Sequence, residues 1–187
     1  MTIYAMTDLE TQGLQNDAVI ASMGVVFYDT QSKEIINKFH IIVDIEDALS
    51  KGFTQDESTL EWWSKQSKEA RRIFEKDVQE KEAYPLREVL TAYYRLVRDI
   101  KVKYGTVYQF GNSSMFDNMK IKTACEKLGV TYPFEHWEDL CYRTIKTMFG
   151  KGVTLDRKGT FHNALNDAES QMEHMVRIIE KVRGGYL

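Results

Sequence analysis

Apolar and polar positions along this 187-residue chain change period several times, and each change marks an element. Residues 3–9 alternate. Strand side chains alternate with period 2, so Tyr4, Met6, Asp8 and Glu10 share one strand face and Leu9 points to the other. Residues 13–18 read as a loop, and the apolar stretch 19–29 predicts a second strand. A turn at 29–33 leads into a third strand at 34–43, and short connections make these three a meander. The charged segment 44–53, with Gly52, reads as a loop. Ser58 and Glu61 have the spacing of a helix-capping box, just before Trp62 and Trp63. Ser67 opens a second short helix that runs through Phe74, and 75–83 reads as a charged connector.

Pro85 suits the first turn of a helix whose apolar stripe is Leu86, Val89, Leu90, Tyr93, Val97 and Ile100. Gly105 and Gly111 bracket a fourth strand at 106–110. A helix from about 115 to 128 ends at Gly129. Residues 137–141 predict a short fifth strand, 143–149 a helix, and 151–160 a loop containing Gly152 and Gly159. A last helix covers about 164–182 with Leu165, Ala168, Met172 and Met175 on its stripe. Strands that give way to alternating helices and strands predict an α/β fold: a mixed five-stranded sheet flanked by helices. The length predicts one domain over 1–187, with an insertion-like helical segment at about 54–83.

Composition narrows the function classes a little. No run approaches the roughly 20 apolar residues of a membrane-spanning helix. The first residues lack a basic head followed by an apolar stretch, so a cytoplasmic protein without a membrane partner is expected. Cys125 and Cys141 have no metal-type spacing and read as reduced thiols. A net charge of −3 argues against a nucleic-acid binder, but two bound divalent cations would turn it to +1, so charge excludes nothing.

The candidate chemistry lies in three separated places. Asp8 and Glu10 are like charges on one strand face. At about 4 Å and an effective dielectric near 20 their repulsion is on the order of 4 kcal/mol, and a cation between them reverses the sign. The alternative is two solvated acids beyond a strand that ends at Thr7. Asp117 follows a strand end and a polar turn, in the first turn of a helix; Ser114 stands three residues before it, so an N-terminal capping acid is equally consistent. His162 and Asp167 are five residues apart. On one continuous helix they would lie about 140° apart, so His162 must precede the helix, with Asn163 as its cap. There an imidazole is able to accept a proton from attacking water, or simply to cap. His174 lies two turns beyond Asp167, about 11 Å of rise, too far to share an ion with it. His40 and His136 have no partners in sequence.

Taken together, D-x-E-T on a strand, F-D at a strand-to-helix turn and H-x-x-x-x-D entering a late helix resemble the DEDDh branch of the DnaQ-like 3′-5′ exonuclease superfamily. The segments 58–67 and 69–71, Arg143-Thr144, and 161–168 with Gln171 look like the phage exodeoxyribonuclease A group and related bacterial exoribonuclease-like proteins. The resemblance implies an RNase H-like fold and a metal-dependent 3′-5′ exonuclease that releases nucleoside 5′-monophosphates from DNA or RNA. It implies two Mg²⁺ or Mn²⁺ ions on Asp8, Glu10, Asp117 and Asp167, with Asp8 able to bridge them and His162 as general base. It further implies nucleotide contacts from Thr11, Gln12, Gly13 and Phe116, to which the stacking capacity of tryptophan adds Trp62. The partner is then a nucleic acid with a free 3′ end, met with low sequence specificity, and the protein is a possible homodimer. A catalytically silent binding or polymerase-associated module on the same fold is the alternative reading, as is an RNase H-type endonuclease; the intact acidic set with His162 favours the exonuclease.

Overall fold

The structure, a computed structural model, describes residues 1–185. Three long strands come first: β1 (Thr2–Thr11), β2 (Ile20–Asp29) and β3 (Glu34–Val43). They form the expected antiparallel meander. Helix α1 (Ile45–Ser50) occupies the segment expected to be a loop; Asp44 Oδ1 accepts from the Asp47 N–H at 2.9 Å and starts it. Helix α2 (Glu57–Ser64) follows, and its start departs from the capping box at Ser58. Asp56 holds the N-cap position but turns its carboxylate away, accepting from the Leu14 N–H at 2.7 Å. Ser67 does cap the next short helix, α3 (Lys68–Arg71), which ends in a 3-10 turn at Arg72–Phe74.

The expected connector at 75–83 is instead helix α4 (Lys76–Glu82) and a two-residue strand, β4 (Ala83–Tyr84). β4 pairs parallel with the end of β3 and makes the sheet six-stranded rather than five-stranded. Two residues are too few to show a period, so tertiary pairing alone creates this strand. Helix α5 (Leu86–Tyr104) leads to β5 (Thr106–Gly111). A π-turn (Ser114–Asn118) then runs into α6 (Met119–Leu128), and β6 (Asp139–Cys141), α7 (Tyr142–Phe149) and α8 (Ala164–Gly184) complete the chain. The strand order is β4-β3-β2-β1-β5-β6, with β5 parallel to β1 and β6 parallel to β5.

The alternation of β1 decides what each sheet face carries. Ile3, Ala5 and Leu9 join the larger core, packed against Leu90, Tyr93 and Val97 of α5. Met6 joins the opposite core with Met172 and Met175 of α8 and Tyr142 of α7. Asp8 and Glu10 continue the Met6 face beyond the point where apolar packing ends. Their side chains therefore emerge beside the N-terminal half of α8. Gly24, opposite Asp8 on β2, makes this approach possible: a Cβ there would lie 2.3–2.4 Å from the Ala164 and Leu165 backbone. No described helix is long and apolar enough to cross a membrane.

Candidate active site

The candidate side chains come from three places: strand β1, the turn after β5, and the start of α8. Strand β1 runs on through Thr11, so Asp8 and Glu10 both lie within it rather than beyond its end, and Glu10 is buried. Asp117 is also buried, inside the π-turn that follows β5. Single π-turns of this kind recur at functional sites. The cap of that turn is Ser113, whose Oγ accepts from the Met115 N–H at 3.2 Å; Ser114, the expected capping partner, is not used. Asp117 instead takes the Asn112 N–H on Oδ2 at 2.8 Å. Gly111 leaves the room it needs, because a Cβ there would meet Asp117 Cβ at 2.9 Å.

Asn163 caps α8 as expected, accepting from the Asn166 N–H at 3.1 Å, and Asp167 sits in the first turn. His162 precedes the helix with φ of +58°, a left-handed conformation that costs a non-glycine residue about 1–2 kcal/mol. Two things hold it there. Its N–H donates to Asp167 Oδ2 at 3.0 Å, and its ring packs edge-on to Trp62 and Trp63, at centroid distances of 4.9 and 6.1 Å.

These placements bring together residues that are more than 150 positions apart. Ligand atoms of Glu10, His162 and Asp167 all lie within 4.8 Å of one another, a spacing that suits a shared cation. Asp8 and Asp117 stand outside this tight trio but within electrostatic reach of it. Asp8 is anchored by Gln171 of α8, whose Nε2 donates to Asp8 Oδ1 at 2.7 Å. Burial, then Asp117, Glu10 and Asp167, push the Asp8 carboxyl well above the usual carboxylate range, and only the Gln171 bond opposes them. Burial together with Asp167 and Asp117 raises Glu10 to about 8. Burial raises Asp117 to about 7, against backbone hydrogen bonds that favour its ionised form. Acids that disfavour one another's charge favour a cation among them, and their carboxylate oxygens fit hard divalent cations.

The second shoulder of the site is aromatic. Leu9, Glu10, Thr11, Leu14, Trp62 and Phe116 are among the residues lining a cleft of about 430 Å³. The adjacent tryptophans divide as helical geometry requires. Trp63 is only 4% exposed and donates from Nε1 to the Thr11 carbonyl at 2.8 Å, whereas Trp62 is 43% exposed. The Thr11 hydroxyl donates to the Gly13 carbonyl at 3.0 Å, and the Gln12 side chain bonds to Gln55 at 2.6 Å. Both side chains are thus engaged inside the protein.

His174 is structural, bridging the Tyr142 hydroxyl at 2.6 Å and the Val153 carbonyl at 2.9 Å; His136 packs on Trp137. The cysteines are free thiols. Two site residues have no signal in the sequence. Arg157 pairs with Asp167 Oδ1 at 2.9 Å, from a loop with no period to place it. Lys120 is buried one helical turn after Phe116, with Nζ 4.3 Å from that ring and bonded to the Gln15 carbonyl. Burial lowers its ammonium to about 8.

Comparison with known proteins places the chain in a family. The family model for the 3′-5′ exoribonuclease Rv2179c-like domain matches residues 3–179. The chain belongs to this family. It is a 3′-5′ exonuclease, as the spaced acids and His162 led us to expect. A search of curated proteins finds no significant match. Among solved structures, the nuclease domain of 3′hExo, a DEDDh family member bound to rAMP, superposes with a TM-score of 0.63 at 16% identity, over 96% of this chain and 92% of that one. E. coli exonuclease I in complex with a dT13 oligonucleotide gives 0.64 at 12% identity, over 100% of this chain but 43% of that one. Cell-death related nuclease 4 gives 0.57 at 11%, over 96% and 64%. At these identities the likeness establishes the RNase H-like fold.

Proposed function

We propose that this exonuclease removes nucleotides singly from the 3′ end of a nucleic-acid strand and releases nucleoside 5′-monophosphates, using two Mg²⁺ or Mn²⁺ ions. The observation that carries this reading is the convergence of buried, mutually repelling carboxylates with a histidine nitrogen. Asp8, Glu10, Asp117 and Asp167 would hold the cations. When bound, these would acidify the attacking water and neutralise charge on the leaving 3′ oxygen. His162 would take the proton from that water. Its strained backbone and its packing against two tryptophans hold the ring at the acids.

The aromatic cleft supports a place for the terminal nucleoside, stacked on Trp62 or Phe116. Residues 11–13 would contribute backbone and shape, since the Thr11 and Gln12 side chains are already bonded. The family's description supports RNA as the substrate.

The test uses the purified protein with 3′-labelled, 5′-labelled and circular single strands, as matched RNA and DNA, with Mn²⁺ or with EDTA. The proposal expects labelled mononucleotide from the 3′-labelled strand, a shrinking ladder from the 5′-labelled one, an untouched circle, and no reaction with EDTA. Cleavage of the circle would overturn it, as would nucleic-acid binding without hydrolysis.

A further inference from the structure

Helix α7 carries two cations that the chemistry above does not use. Arg143 is exposed and donates from Nη2 to the Asn112 carbonyl at 2.6 Å. It lies near enough to Asp117 to favour that residue's ionised form. Lys146, one turn later, lies over the Tyr142 ring, with Nζ 5.3 Å from the centroid. Burial, then Arg143 and Arg157, disfavour its ammonium. Arg157 closes the group from the loop before α8, with its guanidinium on Asp167 and 5.0 Å from the exposed Phe161 ring. Among the described residues, neither Arg143 nor Lys146 has a carboxylate partner within 4.0 Å, although the chain carries more acids than bases.

Arg143 and Lys146, set near Arg157 and without carboxylate partners of their own, are unfavourable neighbours unless an anion joins them. The aromatic cleft beside Glu10, which none of these three cations lines, suits a base rather than a phosphate. A strand whose terminal nucleoside lies in that cleft, with its scissile phosphate at the acids, must send the rest of its backbone away from the cleft.

We infer that Arg143 and Lys146, with Arg157 beside them, form the subsite for the phosphodiesters on the 5′ side of the scissile bond. This inference rests on the exonuclease reading of the acidic site. Arg143 has four further N–H donors beyond the one bound to Asn112, and a guanidinium fork matches phosphate oxygens. Asn112 also donates its N–H to Asp117, so Arg143 joins the subsite to the turn that carries a metal-ligand candidate.

The test compares two substrates in Mn²⁺: a single-stranded oligonucleotide, and the 5′-p-nitrophenyl ester of thymidine monophosphate, which has a scissile phosphate but no upstream backbone. R143Q and K146Q should each raise KM for the oligonucleotide about tenfold, as expected for a lost charge-assisted contact. Each should also flatten the salt dependence of that KM, while hydrolysis of the ester stays within about twofold of the unmodified protein. Conservative R143K should restore part of the loss. Equal loss on both substrates would overturn the subsite and make these residues supports of the Asp117 turn. Unchanged KM and salt dependence would overturn it too. If the unmodified protein hydrolyses neither substrate, the exonuclease reading itself fails.

Discussion

The N–H of His162 and the carboxylate of Asp167 are joined at 3.0 Å, so the candidate base and a candidate metal ligand are positioned by one contact. Asp167→Asn keeps an acceptor for that N–H but removes the charge. Asp167→Ala removes both. Both variants should lose exonuclease activity, by at least about 10²-fold. Only the alanine variant should loosen the segment before α8, seen as faster amide exchange at His162 and its neighbours. Equal exchange in the two would separate the contact from the loop's order.

The backbone of His162 gives a second prediction. His162→Ala and His162→Gly both remove the imidazole and should slow the reaction by roughly 10²–10⁴-fold with cation binding retained. Glycine tolerates the left-handed region without a Cβ clash. His162→Gly should therefore be more stable than His162→Ala by about 1 kcal/mol, read from paired denaturant titrations. The reverse order would show that φ at 162 relaxes once the tryptophan contacts are gone.

The acids predict how stability follows pH. Asp8, Glu10 and Asp117 are all raised in the folded chain, Glu10 to about 8 and Asp117 to about 7. Between about pH 4 and 8 the native state holds protons that the unfolded chain has released, so metal-free stability falls as pH rises. In EDTA the melting temperature should drop across that window. Saturating Mn²⁺ should raise it most near pH 8, with protons released on binding. Glu10→Gln should flatten the EDTA profile, and a profile that rises with pH would contradict these environments.

Two glycines set the approach of the ligand-bearing elements. Gly24→Ala would drive a methyl into the backbone at the start of α8, and Gly111→Ala into the Asp117 side chain. Overpacking of this kind costs roughly 1–3 kcal/mol. Gly24→Ala should lower the melting temperature and weaken Mn²⁺ binding together, because Asp167 moves with α8. Unaltered cation affinity in a destabilised Gly24→Ala would show that the site tolerates the shift.

Much of this arrangement was legible in the sequence where a period or a cap is strong. The β1 alternation correctly placed Asp8 and Glu10 on one face, and the 140° argument correctly put His162 before α8 with Asn163 as cap. The misses fall where elements are short. Helices α1 and α4 and strand β4 span six, seven and two residues, too few for periodicity, and exist because neighbours pair with them. Asp56 and Ser114 show the same limit for caps, since local spacing cannot tell which competing partner a side chain will choose.

The sequence by itself therefore determined the candidate set: which acids and which histidine, on which elements, in which order. Only the tertiary structure decided which of them meet. Glu10, His162 and Asp167 converge because Gly24 admits α8 to the sheet, while Asp8 is held by Gln171 and Asp117 is tucked beneath Gly111. It also supplied Arg157 and Lys120, whose roles come from long-range proximity. The physical reason is that periodicity reports a side chain's face, whereas convergence depends on how closely two backbones approach.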